Sequence, residues 1–410
     1  MTDPALRLAS ALGLFGLIAI AWVFSTERRV VPWRVIGWGL GLQLALALLL
    51  LRTAFGRAFF VAVNQAVVQF IGFTDAGVAF VFGPLAEVGF SFVLDVLPII
   101  IFMGSLFGIL YHLGIVQWVV NALAKILSHT MGLSGAESLA AVANIFVGMT
   151  EAPLLVRPYL ERMTRSELFA VMTTGMATIA GSVLVAYAKM LGEGDFAGHL
   201  VTASLLSAPA GLLIAKVMVP ETETPVTATG GRATVERSSV NLIDAASQGA
   251  LAALRLAAYV GALLVAFVAL IAMLNGMVGW VGGLVGFPEL TLQRILGILF
   301  APFVLLMGIP WSDAVQVGSL LGIKTVLNEF LAYRDLGALI EAGALSPRSI
   351  VIASYALCGF ANFGSLAILL GGVGGMAPSR RPDLARLGLR SILAGTLACM
   401  MTGCIAGILL

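Results

Sequence analysis

The chain has 410 residues, 60% of them hydrophobic and 11% charged, with a formal net charge of +2. A soluble domain carries roughly 25% charged residues, and no water-facing fold could bury this much apolar surface, so a soluble globular protein is excluded and a polytopic membrane protein is indicated. The near-neutral balance, without a basic patch, argues against a nucleic-acid partner, and the three cysteines, Cys358, Cys399 and Cys404, lie in apolar runs with neither metal nor redox spacing.

A crossing needs about 20 apolar residues. Residues 6–24 form the first candidate span; it ends in Glu27-Arg28-Arg29 with no small-residue cleavage site, so it reads as a span and not as a cleaved signal. Residues 35–51 form a second. Within the weaker stretch 52–89, residues 55–70 mix apolar positions with an Arg and an Asn and read as an interfacial helix. Residues 92–113 are a third span despite Asp95 and Pro98, and 115–129 an amphipathic surface helix with Trp118 and Leu123 set against Asn121 and Lys125. Residues 136–160 are apolar enough to enter the bilayer but carry Asn144, Thr150 and Glu151 and are broken by Gly148 and Pro153. A fourth span occupies 168–190, with Gly181-Ser182 inside it, then the turn Gly192-Glu-Gly-Asp195 and a fifth span over 200–219. Residues 220–239, rich in Thr, Glu and Gly, read as a flexible loop. A short surface helix from Leu242 leads to a sixth span over 256–274. Residues 292–333 are a second interrupted segment, broken at Gly308-Ile-Pro310 and carrying Asp313, Lys324, Asn328 and Glu329. A seventh span over 350–372 is broken by Gly359, Asn362 and Gly364, and an eighth covers 387–410.

Basic residues collect after alternate spans: Arg28, Arg29 and Arg34; Lys125, Arg157, Arg162 and Arg165; Lys216, Arg232 and Arg237; Arg380, Arg381, Arg386 and Arg390. Because cytoplasmic loops carry the excess of Lys and Arg, both termini are expected outside the cytoplasm. Arg52, Arg57, Arg294, Lys324 and Arg334 fall on the other side, so the rule holds as a bias. The two interrupted segments then enter from opposite faces. The order of interrupted segment, span with Gly-Ser and plain span occurs twice, and laying residues 177–186 over 360–369 makes the two Gly-Ser pairs coincide. Broken helices in an inverted repeat are a transporter signature.

Intramembrane carboxylates are costly. Glu151 and Glu329, each beside a helix break, are therefore expected to face a polar solute in a cavity; the competing reading pairs each with a nearby cation such as Lys324. Asp95, near a span end, is expected to reach the interface. Asn144, Thr178 and Ser182 have two equal readings. They either supply oxygens to a Na+ ion, completed by carbonyls near Val147 and Ile179, or simply bond helix to helix. Asn362 and Ser365, three apart, would share a helix face and meet the hydroxyls of a sugar-like solute; the competing reading, bonding between helices, suits Ser365 better than Asn362, and Phe360 and Phe363 are able to wall a planar ring. His112, His129 and His199 lie near span ends without ligand spacing, and each is expected to be a surface or interfacial residue. The chain lacks His-Glu-x-x-His, an Asp-rich repeat and Gly-x-Ser-x-Gly, which argues against a polytopic enzyme. Inverted broken hairpins argue against a passive channel.

Four motifs carry a resemblance. Asn144-Ile-Phe-Val-Gly-Met-Thr-Glu-Ala-Pro-Leu154, Gly308-Ile-Pro-Trp-Ser-Asp313, Lys324-Thr-Val-Leu-Asn-Glu-Phe330 and Cys358-Gly-Phe-Ala-Asn-Phe-Gly-Ser365 occur in an order similar to that of the concentrative nucleoside transporter family, from about the third span onwards. The resemblance implies an all-α polytopic membrane protein: eight transmembrane helices plus two opposed re-entrant hairpins in an inverted repeat, with interfacial helices. It also implies a homotrimer in a bacterial-type inner membrane. A scaffold of residues 1–115 and 220–275 would hold a transport unit built from the repeats 116–219 and 276–410, which slides as an elevator and imports nucleosides by symport with Na+, or alternatively H+. By the same resemblance, Met149, Thr150, Glu151 and Val183 meet the nucleobase, Glu329, Asn362 and Ser365 the ribose, and Phe360 lines the site. Asn144, Val147, Thr178 and Ile179 hold Na+, Val147 and Ile179 through their carbonyls. Two positions depart from the family: Met149 stands where Gln is usual, and Gly364 where Ser is frequent. A thioether donates no hydrogen bond and accepts weakly, so weaker discrimination in favour of pyrimidines is expected.

Overall fold

The structure, a computed structural model, describes residues 4–87, 91–192, 194–228, 239–284, 286–287 and 289–410. Arg232, Arg237 and the turn residue Glu193 lie outside the described residues. Among the described residues there is no strand. The N-terminal third comprises α1 (Pro4–Val23), α2 (Trp33–Arg52), α3 (Ala54–Phe82), α4 (Leu97–His112) and α5 (Ile115–Met131). Next come α6 (Gly135–Phe146), a 3-10 turn (Ala152–Val156), α7 (Arg157–Leu160), α8 (Arg165–Ala177), α9 (Gly181–Leu191) and α10 (Phe196–Met218). The chain ends with α11 (Leu242–Leu284), α12 (Leu292–Leu306), α13 (Trp311–Val326), α14 (Glu329–Glu341), α15 (Pro347–Leu357), α16 (Phe363–Met376) and α17 (Arg381–Leu409).

The helices sort into two layers by what surrounds their apolar side chains. In the most apolar 18-residue stretches of α8–α9, α10 and α17, 89%, 89% and 83% of residues are buried, against 17–28% for α1 to α4 and α11. The outer helices turn Leu, Phe, Trp and Val outward, which water would penalise and lipid would not. By length and composition, eight helical stretches among the described residues can cross a membrane.

Their bounds differ from those of the spans read from the sequence. The stretch read as interfacial is dominated by the single 29-residue helix α3, apolar enough to join the count. The surface helix at Leu242 and the sixth span fuse into the 43-residue α11. The seventh span instead falls into two short helices, α15 and α16. The second interrupted segment has two breaks. One, between α12 and α13, turns the chain by 116°, where Gly308 adopts φ +75° against Leu6 and Ser10 of α1. The other falls at Leu327 and Asn328, so Glu329 opens α14. Asp95, expected to reach the interface, accepts the Ser91 N–H at 2.7 Å and lies 3.5 Å from Lys189. His199 is half-buried between Phe60 and Tyr355, not surface-facing.

The repeat is visible in element order. Hairpin α6–α7, the broken pair α8/α9 and α10 are succeeded by hairpin α13–α14, the broken pair α15/α16 and α17. Gly181 is the first residue of α9, and Gly364 and Ser365 lie in the first turn of α16.

The starts of α6 and α8 are fixed by two capping boxes, Ser134 with Glu137 and Thr164 with Glu167. These boxes are joined. Ser134 Oγ donates to Glu167 at 2.5 Å, and Lys216 of α10, only 3% exposed, reaches Glu137 at 2.7 Å, Ser166 at 2.9 Å and Glu221 at 3.3 Å. Breaking a buried pair from one side leaves an uncompensated charge and costs ~3–5 kcal/mol. Lys216→Met is therefore expected to lower the melting temperature in detergent markedly, and combining it with Glu137→Gln is expected to recover most of the loss, as read by a fluorescence melt.

Candidate functional site

Hairpin 1 owes its shape to its tip. The helix α6 ends at Phe146, and Gly148 adopts φ +90°, a conformation that side chains oppose. A Cβ there would sit 2.9 Å from Ala180 Cβ and 3.3 Å from Glu151 Oε2, so the tip is pressed into the break between α8 and α9. Beyond it, Thr150 Oγ1 donates to Glu151 Oε2 at 2.7 Å. Hairpin 2 and the break between α15 and α16 use asparagine in a matching way. Asn328 caps α14 by accepting the Leu331 N–H at 3.0 Å, and Asn362 caps α16 by accepting the Ser365 N–H at 2.7 Å. The two unwound segments meet directly: Phe360 N donates to Thr178 O at 3.3 Å.

These breaks surround one cavity of about 1210 Å³. It is lined by Val147, Met149, Thr150 and Glu151 from hairpin 1, Ser182 and Val183 from α9, Glu329 from hairpin 2, and Phe360, Asn362 and Ser365 from the α15/α16 break. All eight residues expected to meet substrate thus share one cavity. Phe107 of α4 and Leu256, Tyr259 and Val260 of α11 supply much of the apolar wall. Ser182, grouped with the cation ligands from its position, faces this cavity instead. Phe363 is 51% exposed and is not part of the wall. Asn362 and Ser365 do not present a common face of a continuous helix; the first is the cap that receives the second's N–H.

Glu329 is buried and doubly held. Tyr187 Oη donates to its Oε1 and Asn362 Nδ2 to its Oε2, each at 2.8 Å. Lys324 does not pair with it: its ammonium donates to the Ala356 carbonyl at 2.9 Å. Tyr187 was missed in the sequence. The available signal was a tyrosine inside a span, whose hydroxyl must find a partner when buried, placed four residues after Val183 and so on the same helix face.

Of the four expected cation ligands, Val147 lines the same cavity, whereas Asn144, Thr178 and Ile179 are not part of its wall. Asn144 is fully buried in the last turn of α6 and Val147 comes just after that helix, while Thr178 and Ile179 occupy the break after α8. Thr174 spends its hydroxyl proton on Ala170 O at 2.8 Å, so it accepts from Asn144 Nδ2 at 3.3 Å. That fixes the amide, and Asn144 Oδ1 is left buried with no hydrogen-bond partner. An orphaned, buried oxygen in the last turn before α6 unwinds suits a hard monovalent cation. Among the described residues, no cluster of three His, Cys, Asp or Glu offers a metal site of another kind. Gly148→Ala is expected to remove measurable ligand binding, since it adds backbone strain of ~1–3 kcal/mol and a contact that pushes the tip from the break. Calorimetric titration checks it, with a melt to show that the helices remain folded.

Comparison with known proteins agrees along the whole chain. Family profiles described as Na+ dependent nucleoside transporter, N-terminus and C-terminus, match residues 12–85 and 199–407, and one described as nucleoside recognition (Gate) matches residues 93–194. The chain is 47% identical over 399 residues to the uncharacterized transporter YutK of Bacillus subtilis, covering 97% of this chain and 98% of that one. It is 45% identical over 417 residues to solute carrier family 28 member 3 of Mus musculus, covering 98% of this chain and 59% of that longer protein. The structure of CNTnw in an inward-facing substrate-bound state has a TM-score of 0.92 at 45% identity, covering 98% of this chain and 97% of that one. A substituted form of CNTnw in an outward-facing state gives a TM-score of 0.94 at 44% identity, covering 99% of this chain and 98% of that one. With family profiles over most of its length and relatives this close, the chain belongs to the Na+-dependent, concentrative nucleoside transporter family, whose members are transporters and not enzymes.

Proposed function

We propose that this protein imports nucleosides by symport with Na+, moving substrate and ion together in an elevator-type alternation of access. One observation carries the reading: polar groups from both hairpins and both broken spans converge on a single apolar-walled cavity, the arrangement by which a transporter binds a polar solute between its repeats. Thr150 and Glu151 bond the base, which packs against Met149, Val183 and Phe360. Glu329, Asn362 and Ser365 take the ribose hydroxyls. Na+ sits on Asn144 and Thr178 side-chain oxygens and the Val147 and Ile179 carbonyls. The orphaned Asn144 Oδ1 supports Na+ over H+, since an amide oxygen coordinates a cation but takes up no proton near neutral pH.

In this reading residues 1–115 and 220–275 form the scaffold of a homotrimer, and the repeats 116–219 and 276–410 form the moving unit. The deep burial of α8, α10 and α17 beside outward-facing α1 to α4 and α11 supports that division. The membrane is a bacterial-type inner membrane with both termini outside the cytoplasm, as the Arg and Lys bias supports.

Uptake of adenosine into proteoliposomes is expected to exceed equilibrium under an inward Na+ gradient and to collapse to background when choline replaces Na+. Uptake that tracks a pH gradient and ignores Na+ overturns the coupling, and uptake that never exceeds equilibrium overturns active transport. Glu329→Gln is expected to reduce nucleoside affinity by roughly 10- to 100-fold, the loss of hydrogen bonds to a charged group, with the fold intact. Because Met149 offers no donor, adenosine is expected to compete with labelled substrate at least as well as uridine. A clear preference for uridine in that assay rejects the base assignment.

A further inference from the structure

Tyr187 is the one group bonded to Glu329 that neither the motifs nor the resemblance assigns a role. It lies on α9, in the first repeat, whereas Glu329 opens α14 and Asn362 caps α16, both in the second. Its side chain is 0% exposed, so no solvent competes for its hydroxyl. Its ring is held on two sides. It stacks on Tyr333, with centroids 4.6 Å apart and planes 21° from parallel, and meets Phe330 edge-on at 4.8 Å. Tyr333 is itself anchored, donating to Ser354 O at 2.9 Å. The hydroxyl is thus a donor at a fixed point in space.

Apart from Tyr187, the carboxylate is held by the Asn362 amide and by the backbone N–H of Glu329 itself. The Asn362 amide cannot flip, because its Oδ1 receives the Ser365 N–H at 2.7 Å. Its Nδ2 therefore faces Glu329 Oε2. The amide and the backbone N–H both come from the second repeat, and the terminal torsion of glutamate is broad, so a donor from the first repeat adds a further constraint. The Tyr187 hydroxyl at 2.8 Å from Oε1 supplies that constraint. Donors from two repeats leave the remaining lone pairs of Glu329 in one orientation in the cavity.

We propose that Tyr187 is a positioning residue for recognition of the sugar: it orients Glu329 so that the carboxylate accepts from the ring hydroxyls of the substrate. The inference rests on the nucleoside reading given above. It makes Tyr187 a determinant of selectivity for hydroxylated over deoxygenated sugars, although it contributes no atom to the cavity wall.

The test compares adenosine with 2′,3′-dideoxyadenosine, which lacks both ring hydroxyls that Glu329 would accept from. Affinities are measured by competition for the wild type, Tyr187→Phe, Glu329→Gln and the double variant. Tyr187→Phe keeps the stack on Tyr333 and removes only the hydroxyl. The expected result is a loss of adenosine affinity of roughly tenfold, in line with a hydrogen bond to a charged group, with dideoxyadenosine affinity unchanged. In the Glu329→Gln background, Tyr187→Phe is expected to add little. Equal losses for both ligands would mark a merely structural role and overturn the proposal, as would no loss for either or a full additional loss in the Glu329→Gln background. Wild-type protein that binds no adenosine would overturn the nucleoside reading itself, and this inference with it. A melt of each unliganded variant separates misfolding from loss of recognition. A Tyr187→Phe protein that melts like the wild type yet binds adenosine as tightly counts against the proposal.

Discussion

A helix that stops inside a hydrocarbon layer leaves amide and carbonyl groups without partners, and lipid supplies none. This constraint explains most of the architecture. Three of the interruptions answer one another: the Gly148 tip enters the break after α8, and the break after α15 is joined to it through Phe360 N and Thr178 O. The asparagines at 328 and 362 close the new helix starts with their side chains. Polar groups not consumed in this mutual repair face the cavity, as Thr150 and Glu151 do, or point into the body, as Asn144 Oδ1 does. Function lies in the remainder of an accounting that the membrane enforces.

The close approach of these segments depends on residues without side chains. At Gly175 an added Cβ would lie 3.0 Å from Met149 Cβ and 3.8 Å from Asn144 Oδ1, and at Gly359 2.9 Å from Met176 O. The buried ends of α6, α8 and α10 are bound differently, by the Lys216 and Glu137 pair and the capping boxes around it. Such a pair contributes little net stability compared with apolar packing, but it admits few alternative arrangements. The result is a body whose helices are locked to one another and wrapped by helices that mostly face outward.

The gross plan was legible because hydropathy is additive along a segment and breakers are local. Gly148, Pro153 and Gly308-Ile-Pro310 marked interruptions that the structure contains. Glu329 was expected beside a helix break, but the place of that break at Leu327 was not legible, since Thr325, Val326 and Leu327 are neither Gly nor Pro; it is set by Asn328, whose side chain caps α14. The fate of residues 54–82 was ambiguous because apolar residues at mixed spacing suit a long helix on a surface or through a bilayer alike. Of the site, the carboxylates and amides were visible as costly residues in apolar runs. Their partnerships were not. Lys324, offered in the competing reading as a counter-ion of Glu329, donates to Ala356 O, and Tyr187, which donates to that carboxylate, is 142 residues away. The capping boxes Ser134-Gly-Ala-Glu137 and Thr164-Arg-Ser-Glu167 had a readable spacing, but nothing in one dimension joined them through Lys216.

The contact between Phe360 N and Thr178 O has a thermodynamic meaning beyond its modest strength. The backbone that would offer an oxygen to the ion and the backbone that carries the aromatic wall of the substrate cavity are adjacent and bonded. On the reading proposed here, ion and solute need no distant conformational relay to sense each other; ordering one unwound segment orders its neighbour. Linkage then works in both directions: whatever factor the ion gains for the solute, the solute returns to the ion. A carrier built this way is reluctant to cross half-loaded because its two cargoes stiffen the same few residues.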